Sequence, residues 1–402
     1  MTLPGHFDHV IVGGGLQGCL LAHAIAHHRP DARVLLVERG GDLCGNHTWS
    51  FHESDIPEHA RVWFDPLVAH RWPGYLVRFP GLSRRVGIPY ATISSDGLRE
   101  ATRRLVIRAK AIQAEQPAGR GALVIRSGET CEIVSPTRVR LGDGSPIEAA
   151  TVIDCRGRTA SPGLPQGAGY QSFIGHEFRV GPRWPATEPT VMDVREDQAC
   201  GFEFLYELPF GPDRVLLEYT RFGNEPTCDE ARAESLIAAR LAEAGVDATE
   251  RLRTERGCLP MPYVAPCQTL GSSVAGGYAG GWYHAATGYS MPLAVRFADI
   301  VARAAPERIA DDLATAAAGD SLRRGFSRFL NRLLFCLVTP RDRWKIFRRF
   351  YGVLSEERIA RFYAHRFTIS DAARIVIGRP PSGLAPLRFA RSFLPASGPG
   401  LT

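Results

Sequence analysis

The sequence predicts an α/β fold that carries an inserted antiparallel β-sheet and ends in a helical segment. A strand, a glycine-rich turn, a helix and a second strand occupy the first 38 residues. Residues 173–225 alternate between apolar and polar side chains as antiparallel strands do, and residues 321–363 repeat apolar side chains at helical spacing. At 402 residues, the chain is long enough for two or three domains.

The N-terminal element has the pattern of a Rossmann-type β-α-β unit. A strand at residues 8–12 leads into a turn, a helix at 19–29 and a second strand at 33–38. The glycines of the turn are spaced G-x-G-x-x-G, namely Gly13, Gly15 and Gly18. Because strand, turn and helix follow in the required order, the pattern predicts a bound dinucleotide.

The residue types in this unit each have a chemical reason. Gly13 permits the sharp turn, Gly15 lets the backbone approach a pyrophosphate, and Gly18 lets the helix pack closely against the strand. The helix N-terminus offers free N–H groups to the phosphates. Glu38 ends the second strand, where an acid binds ribose hydroxyls and disfavours a 2′-phosphate. FAD or NAD is therefore expected here in preference to NADP.

Two later segments favour FAD over NAD. A buried strand at 150–154 ends in Asp154 and is followed by Gly157, and a glycine-rich segment at 276–288 precedes a helix. FAD is long enough to reach from the first turn to such a distant strand–helix junction, whereas NAD enzymes usually complete their site sooner. We expect Asp154 to be a strand-end contact and not a catalytic group.

The middle of the chain changes to antiparallel strands. Residues 202–210 and 215–222 flank a turn at 211–213, which is a hairpin pattern. Such an inserted sheet commonly covers the flavin and forms the substrate cavity. The expected boundaries are an FAD-binding domain at 1–70, 93–165 and 271–318, a substrate-binding β-sheet domain at 71–92 and 166–270, and a C-terminal helical segment at 319–402.

Composition excludes several classes of protein. With 45% hydrophobic and 22% charged residues, wholesale disorder is excluded. No stretch approaches the roughly 20 apolar residues of a membrane span. The nine cysteines are scattered without a C-x-x-C pair, so no zinc site, no other metal and no disulfide framework is predicted. The N-terminus lacks a signal-peptide pattern, which favours a cytoplasmic location.

Several motifs give the chain a specific resemblance. From residue 8 to about residue 381, it resembles the bacterial lycopene β-cyclase family. The matching segments are GNHTWSFH at 45–52, Leu217-Glu218-x-Thr220, GCLP at 257–260, HAATGYS at 284–290, FLNRLLF at 329–335, Arg343-Trp344 and RFYG at 349–352.

The resemblance implies a flavoenzyme that folds like the aromatic-hydroxylase flavoproteins. Members cyclise the linear ends of lycopene into β-ionone rings, giving γ-carotene and then β-carotene, without net redox change. The family uses reduced FAD, with NAD(P)H as the external reductant, and Glu218 matches its essential acid. The expected cofactor contacts are Gly13, Gly15, Gly18, Glu38, His47, Thr48, Asp154, Gly157, His284, Thr287, Gly288 and Tyr289.

Two positions depart from the family pattern. Many relatives carry a second carboxylate directly after the essential acid, where this chain has Tyr219. That second acid is either dispensable here or was never catalytic. His284 is followed by Ala285, where relatives often have proline, so this loop is expected to be less rigid. The role of His284 is left open between a flavin contact and a structural one.

The chemistry justifies these residue types independently. An alkene is a very poor base, so the acid that protonates it must be neutral, positioned and dry. Glu218 lies in an apolar strand, where desolvation raises a carboxyl pKa. Glu203 and Glu207 in the partner strand are predicted to be surface residues. Aromatic side chains would stabilise a carbocation by cation–π contact, and the candidates are Trp49, Phe51, Tyr206, Trp282 and Tyr289.

The net charge of +6 is concentrated near the C-terminus. Residues 321–366 contain 12 Arg and Lys against 3 Asp and Glu, a net of +9. Apolar residues between these charges fit either a core-packed helical domain with a solvated basic face or a surface that docks on anionic lipid. Lycopene resides in membranes, which favours peripheral association with the inner face of the bacterial membrane. Nucleic-acid binding is not expected from a flavin fold.

Two rival functions stand beside the cyclase. The first is a flavin-dependent monooxygenase or reductase of a polyprenoid, which would change the mass of its substrate. The second is a non-catalytic flavin- or carotenoid-binding membrane protein, for which loss of the Glu218 carboxyl would be harmless.

Overall fold

The computed structural model describes residues 6–115, 121–157, 167–181, 184–194, 198, 201–265, 274–378, 383–386, 389 and 392. The strands are β1 (His6–Val12), β2 (Arg33–Glu38), β3 (Thr48–His52), β4 (His70–Trp72), β5 (Tyr75–Phe79), β6 (Leu82–Val86), β7 (Tyr90–Ser94), β8 (Ala122–Ser127), β9 (Cys131–Ser135), β10 (Arg138–Leu141), β11 (Pro146–Asp154), β12 (Ala168–Gly181), β13 (Thr190–Asp193), β14 (Phe202–Pro209), β15 (Arg214–Gly223), β16 (Asp247–Pro262) and β17 (Val274–Ala275). The α-helices are α1 (Leu16–His28), α2 (Arg61–Phe64), α3 (Ser95–Glu115), α4 (Glu230–Glu243), α5 (Met291–Arg303), α6 (Ile309–Gly319), α7 (Ser321–Arg332), α8 (Trp344–Val353), α9 (Glu356–Tyr363) and α10 (Ile369–Val376).

The first sheet contains the predicted β-α-β unit. Its order is β8-β2-β1-β11-β10-β9, and β17 pairs with β11. Strands β8, β2, β1, β11 and β17 are parallel, whereas β9 and β10 are antiparallel. The carboxyl ends of the parallel strands bring Gly13, Glu38 and Asp154 to one edge, which is where open α/β sheets bind ligands.

The second sheet is large and mainly antiparallel, with the order β16-β12-β15-β14-β13-β5-β6. The predicted hairpin is confirmed, since β14 and β15 pair from Phe202 opposite Phe222 to Pro209 opposite Val215. Strand β12 lies between β15 and β16 and pairs with both. A third, small sheet has the order β3-β7-β4.

One face of the large sheet is covered by α4, which begins after Asp229 as its N-cap. The prediction that Glu203 and Glu207 lie on the surface is wrong, because they are only 4% and 2% exposed beneath this helix. Each accepts a hydrogen bond from an arginine of α4, Arg232 for Glu203 and Arg240 for Glu207. Alternation identifies the residues that share a face, but it does not say whether a helix covers that face.

The opposite face of the sheet is covered by the C-terminal helices. Phe347 of α8 packs against Phe202 and Phe222, with ring centroids 4.7 and 5.2 Å apart. Arg343 is fully buried and donates hydrogen bonds to the carbonyl oxygens of Phe222 and Leu334. Much of the basic segment therefore packs into the core, as the first of the two expectations for it requires.

Part of the C-terminal helical segment faces outward. Leu322 at the start of α7 and Ile369 at the start of α10 are 82% and 85% exposed. The two helix starts lie near each other, since Arg323 Nε donates to the Phe367 carbonyl over 3.0 Å. In the part of the chain that the structure describes, no helix has the length and apolar content needed to cross a bilayer.

Candidate active site

A cavity of about 590 Å³ lies between the large sheet, the small sheet and the C-terminal helices. This volume falls within the range of small-molecule sites. The walls are mainly apolar and aromatic, with a few polar side chains. The cavity brings together many of the nominated residues, namely His47, Thr48, Trp49, Tyr206, Glu218, Thr287, Gly288 and Tyr289.

Glu218 presents its carboxyl group to this cavity from strand β15. Its Oε1 accepts a hydrogen bond from Thr220 Oγ1 over 2.8 Å. Burial raises the pKa of Glu218 well above its ordinary value, and the negative charge of Glu255 raises the pKa further. A carboxyl group in this environment is neutral over a wider pH range than an exposed one, which is the state that a proton donor needs.

Glu255 is a second cavity carboxyl that the sequence did not predict. It lies on β16, and the Glu218 and Glu255 side chains are within hydrogen-bonding reach of each other. The residue after Glu218 in β15 does not supply this partner. Tyr219 points to the other face of the sheet, where its hydroxyl donates to Glu203 Oε1 over 2.7 Å. The second carboxyl of this cavity therefore comes from another strand and not from the position after Glu218.

Arg253 supplies the counter-charge for Glu255. Its Nη1 donates to Glu255 Oε2 over 2.8 Å, and its Nε donates to Glu177 Oε2 over 3.0 Å. Its Nη2 donates to Thr48 Oγ1 over 2.6 Å, which joins the network to strand β3. Glu177 is also bonded by Arg214, so both buried carboxylates of this network have cationic partners.

Tyrosines form much of the cavity wall. The hydroxyl groups of Tyr90 and Tyr206 are 3.0 Å apart, and those of Tyr351 and Tyr363 are 2.8 Å apart. Burial raises the pKa of Tyr363 to about 12, so its hydroxyl is neutral. Since these hydroxyls pair with one another, the wall provides aromatic rings without adding charged groups. The remaining tyrosines of the wall are Tyr75, Tyr278 and Tyr289.

The glycine-rich turn has the geometry of a dinucleotide site. Gly13 has φ +110°, and a Cβ atom there would lie 2.5 Å from the Cys155 backbone. A Cβ atom on Gly18 would lie 2.0 Å from the Gly13 carbonyl oxygen. By contrast, no described atom lies within 4 Å of a Cβ built on Gly15, which precedes the first residue of α1. Two glycines are thus required by packing, and Gly15 leaves room for a pyrophosphate.

The two strand-end acids beside this turn are engaged with the protein. Glu38 accepts backbone hydrogen bonds from Gly14 over 2.6 Å and from Gly40 over 2.7 Å. Asp154 forms a two-point ion pair with Arg156, at 2.9 and 2.6 Å. Both acids therefore hold the loops at the edge of the sheet in place. Gly157 lies three residues after Asp154 and has φ +67°.

Three nominated side chains lie elsewhere. The His284 imidazole is fully buried against Phe362 and His365, with ring centroids 4.7 and 5.0 Å apart. It is not among the described side chains that line the cavity, although its backbone N–H bonds the Tyr289 carbonyl over 2.7 Å and fixes the loop. Phe51 and Trp282 likewise pack into the core around α1 and α5.

Sequence reasoning missed Glu255, Arg253 and most of the tyrosines. The one available signal was the alternation of Arg253, Glu255 and Gly257, which places polar residues on the face that carries the GCLP motif. Among the described residues, no group of three or more His, Cys, Asp or Glu side chains is arranged to hold a metal ion.

Comparison with known proteins matches the chain to one family over nearly its full length. The sequence profile described as lycopene cyclase protein matches residues 8–389. A lycopene beta-cyclase of Pseudescherichia vulneris is 36% identical over 93% of this chain and 94% of its own. A lycopene beta-cyclase of Pantoea ananas is 35% identical over 94% of this chain and 95% of its own.

Solved structures share the fold at low sequence identity. A probable FAD-dependent monooxygenase from Pseudomonas aeruginosa has a TM-score of 0.58 at 20% identity, over 87% of this chain and 99% of its own. A flavin-dependent brominase has a TM-score of 0.61 at 12% identity, over 92% and 97%. The predicted α/β fold with an inserted β-sheet and a C-terminal helical segment, of the kind seen in flavoprotein monooxygenases, is therefore confirmed.

Proposed function

Since this chain belongs to the lycopene cyclase family, we propose that it is a lycopene β-cyclase, an isomerase that closes the linear ends of lycopene into β-ionone rings. The observation that carries the proposal is the carboxyl of Glu218, which faces an aromatic cavity from the strand that bears the family motif. Bacterial relatives named lycopene beta-cyclase align with 93–94% of the chain. Other linear carotenoids fit the same chemistry.

Glu218 is proposed to act as the acid. Its proton forms a C–H bond at the terminal alkene and leaves a tertiary cation on the adjacent carbon. The neighbouring double bond closes the six-membered ring onto this cation. A ring proton then returns to the carboxyl group, so the product is an isomer and no electrons are gained or lost. The raised pKa of Glu218 supports this role, because the acid must be neutral before it can donate.

The aromatic wall is proposed to protect and stabilise the cation. Tyrosine rings attract a cation by about 0.5–2 kcal/mol each, most strongly where water is excluded. The paired hydroxyls of Tyr90 and Tyr206 leave fewer free nucleophiles that could trap the cation. We expect the wall to favour loss of a proton over addition of water.

FAD is the proposed cofactor, and the described residues fit it. Gly13 and Gly18 build the turn, Gly15 leaves space for the pyrophosphate, and Glu38 stands at the position of the ribose acid. Residues 287–289 would hold the ring end beside the cavity, together with His47 and Thr48. Reduced FAD, when bound, supplies electron density close to a developing positive charge. NAD(P)H is proposed as the external reductant that maintains this state.

We also propose peripheral docking on the inner face of the bacterial membrane. Leu322 and Ile369 are exposed apolar side chains on neighbouring helix starts. Leu322 lies in the segment of net charge +9, and Ile369 follows the end of that segment by three residues. Basic helices with exposed apolar side chains bind anionic bilayer surfaces. A lycopene molecule dissolved in the bilayer would then reach the cavity without crossing water.

Expression in a lycopene-accumulating host tests the reaction and the substrate together. We expect cyclic pigments that have the mass of lycopene, separated by chromatography and identified by mass spectrometry. Addition of oxygen would instead indicate a monooxygenase, and addition of hydrogen would indicate a reductase. Either product, or unchanged lycopene in the presence of folded protein with bound flavin, would overturn the proposal.

Glu218→Gln tests the assignment of the acid. The amide has the size of the carboxyl group but cannot donate a proton to an alkene. We expect cyclisation to fall by at least about 100-fold while flavin content and folding are retained. Glu250→Gln is the matched control, because Glu250 forms a surface ion pair with Arg179 on the same sheet. Normal turnover by the Glu218 variant would refute the assignment.

A further inference from the structure

Gly175 allows two carboxyl groups on separate strands to meet. In strand β12, Gly175 pairs with Glu218 of β15 on one side and with Glu255 of β16 on the other. A Cβ atom built on Gly175 would lie 3.1 Å from Glu255 Cγ and 3.3 Å from Glu218 Cβ. Neighbouring strands are about 4.8 Å apart, so these residues are two strand spacings apart in the backbone. Their side chains lean over the glycine and come together.

The two carboxyl groups have unequal partners. Glu255 Oε2 is held by the guanidinium of Arg253 over 2.8 Å, whereas Glu218 Oε1 is held by the neutral hydroxyl of Thr220 over 2.8 Å. Two carboxylates in contact in a buried site cannot both be ionised at low cost, so the pair retains a proton. The cation beside Glu255 favours the charge on that residue. The retained proton therefore lies on Glu218.

We propose that Glu255 is a positioning residue that holds the reactive proton on Glu218 and promotes its return, which rests on the proposed cyclase function. One proton leaves the pair and forms the new C–H bond at the terminal alkene. After ring closure, one ring C–H bond breaks and its proton returns to the pair. Between these steps the pair has two negative charges in contact, and their repulsion favours recapture of the proton.

Other titratable or charged groups of the described residues lie around the pair. They come from β12, β14, β15, β16, the start of β3 and the segment before α4. The charge of Arg253 lowers the pKa of Glu218 and so opposes the effect of Glu255. Glu177 accepts hydrogen bonds from both Arg253 and Arg214. Besides the effect of burial, the charge of Arg253 lowers the pKa of His47, and a charge on Glu218 raises the pKa values of Tyr206 and Cys228.

The pH dependence of Glu255→Gln tests the proposal. Wild-type activity, measured with purified flavin-loaded enzyme and lycopene in vesicles, should be present at low pH and lost as Glu218 deprotonates. Without Glu255, the charge of Arg253 acts on Glu218 unopposed. The alkaline loss of activity should therefore occur about one to three pH units lower. A slower variant whose alkaline limb has not moved would show a merely structural role and overturn the proposal.

Two further variants distinguish the proposed effect from a folding defect, because each predicts a direction for the alkaline limb and not a loss of activity. In Glu255→Gln/Arg253→Gln, which removes both charges, the alkaline limb should return toward the wild-type position. Gly175→Ala separates the carboxyl groups without removing either, and should move the limb in the same direction as Glu255→Gln. A double variant whose limb stays at the Glu255→Gln position would contradict the proposal. A Gly175→Ala limb that stays at the wild-type pH would contradict it as well. If wild-type enzyme forms no rings, the cyclase assignment fails instead, so the two failures are distinguishable.

Discussion

Tyr206 stands directly opposite Glu218 in the β14–β15 hairpin, and its hydroxyl group is 3.0 Å from that of Tyr90. Residues opposed in an antiparallel pair have Cβ atoms about 4.5–5.5 Å apart. The register of one hairpin therefore places an aromatic ring beside the acid. A cation formed by proton transfer from Glu218 would arise beside the Tyr206 ring.

The contribution of this ring can be measured with two substitutions of Tyr206. Tyr206→Phe keeps the ring, so we expect a rate of ring formation close to that of wild type. Tyr206→Leu removes the ring, and the loss of about 2 kcal/mol of cation–π stabilisation predicts a rate roughly 30-fold lower. Initial rates are compared at equal flavin content. Equal rates for the two variants would show that the ring does not stabilise the cation.

The local parts of this site could be predicted from the sequence. The β-α-β unit depends on glycines within six residues of one another, and the hairpin depends on a turn between adjacent strands. Such features are determined by residues that are close in the chain, so spacing and residue type identify them.

The non-local parts could not be predicted. Glu255 meets Glu218 because β16 and β15 both pair with β12 at Gly175, and no periodicity within a single strand reveals that register. The burial of Glu203 depends on a helix that follows the strand by about 20 residues. The position of the His284 ring depends on packing against Phe362, a residue of the distant C-terminal segment.

Substitutions in the glycine-rich turn should separate folding from cofactor binding. Gly15 has φ −76°, and no described atom lies within 4 Å of its added Cβ. We therefore expect Gly15→Val to fold but to lose flavin, because its side chain occupies the space for the pyrophosphate. Gly13→Ala introduces a 2.5 Å contact with Cys155 at φ +110°, and strain of at least about 1–3 kcal/mol should lower its stability.

Flavin absorbance per mole of purified protein measures the first effect. Thermal unfolding of the flavin-free forms measures the second, because bound cofactor would itself raise the melting temperature. Retention of flavin by Gly15→Val would contradict the placement of the pyrophosphate. A Gly13→Ala protein as stable as wild type would contradict the packing argument.

Acid sensitivity of folding should depend on His9. This residue is fully buried in β1, and burial, followed by the charge of Arg29, lowers its pKa to about 4. In the unfolded chain the pKa is about 6.5, so between pH 6.5 and pH 4 the unfolded state binds more protons than the folded state. Stability contributed by neutral His9 is therefore present above pH 6.5 and is lost as the pH falls toward 4.

His9→Leu checks this sign. The ring nitrogens of His9 have no hydrogen-bond partner in the wild-type protein, so leucine should be tolerated at this position at pH 7. The free energy of unfolding is measured by denaturant titration at pH 7 and at pH 5. We expect the variant to lose about 1–2 kcal/mol less than wild type over this interval. An identical loss in both proteins would show that His9 is not responsible.

The proposed membrane contact places Leu322 and Ile369 at the bilayer surface. Burial of each side chain in the interface is expected to contribute about 1.5–3 kcal/mol if it is complete. Attraction between the basic segment and anionic lipid adds a component that salt screens. Loss of the two apolar side chains should therefore weaken binding at every ionic strength. Added salt should weaken the binding of the variant and of the wild-type protein alike.

Co-sedimentation with anionic vesicles at low salt measures this binding. Leu322→Ser/Ile369→Ser should bind at least about tenfold more weakly than wild type, because even partial burial of two such side chains exceeds 1.4 kcal/mol. Val62→Ser/Ile107→Ser is the matched control, since these side chains are 68% and 66% exposed on α2 and α3, outside the basic segment. Equal loss in both double variants would indicate non-specific adsorption. Both substitutions leave the charge of the protein unchanged, so they test the apolar contact alone. Undiminished binding of the Leu322→Ser/Ile369→Ser variant would contradict the proposed contact.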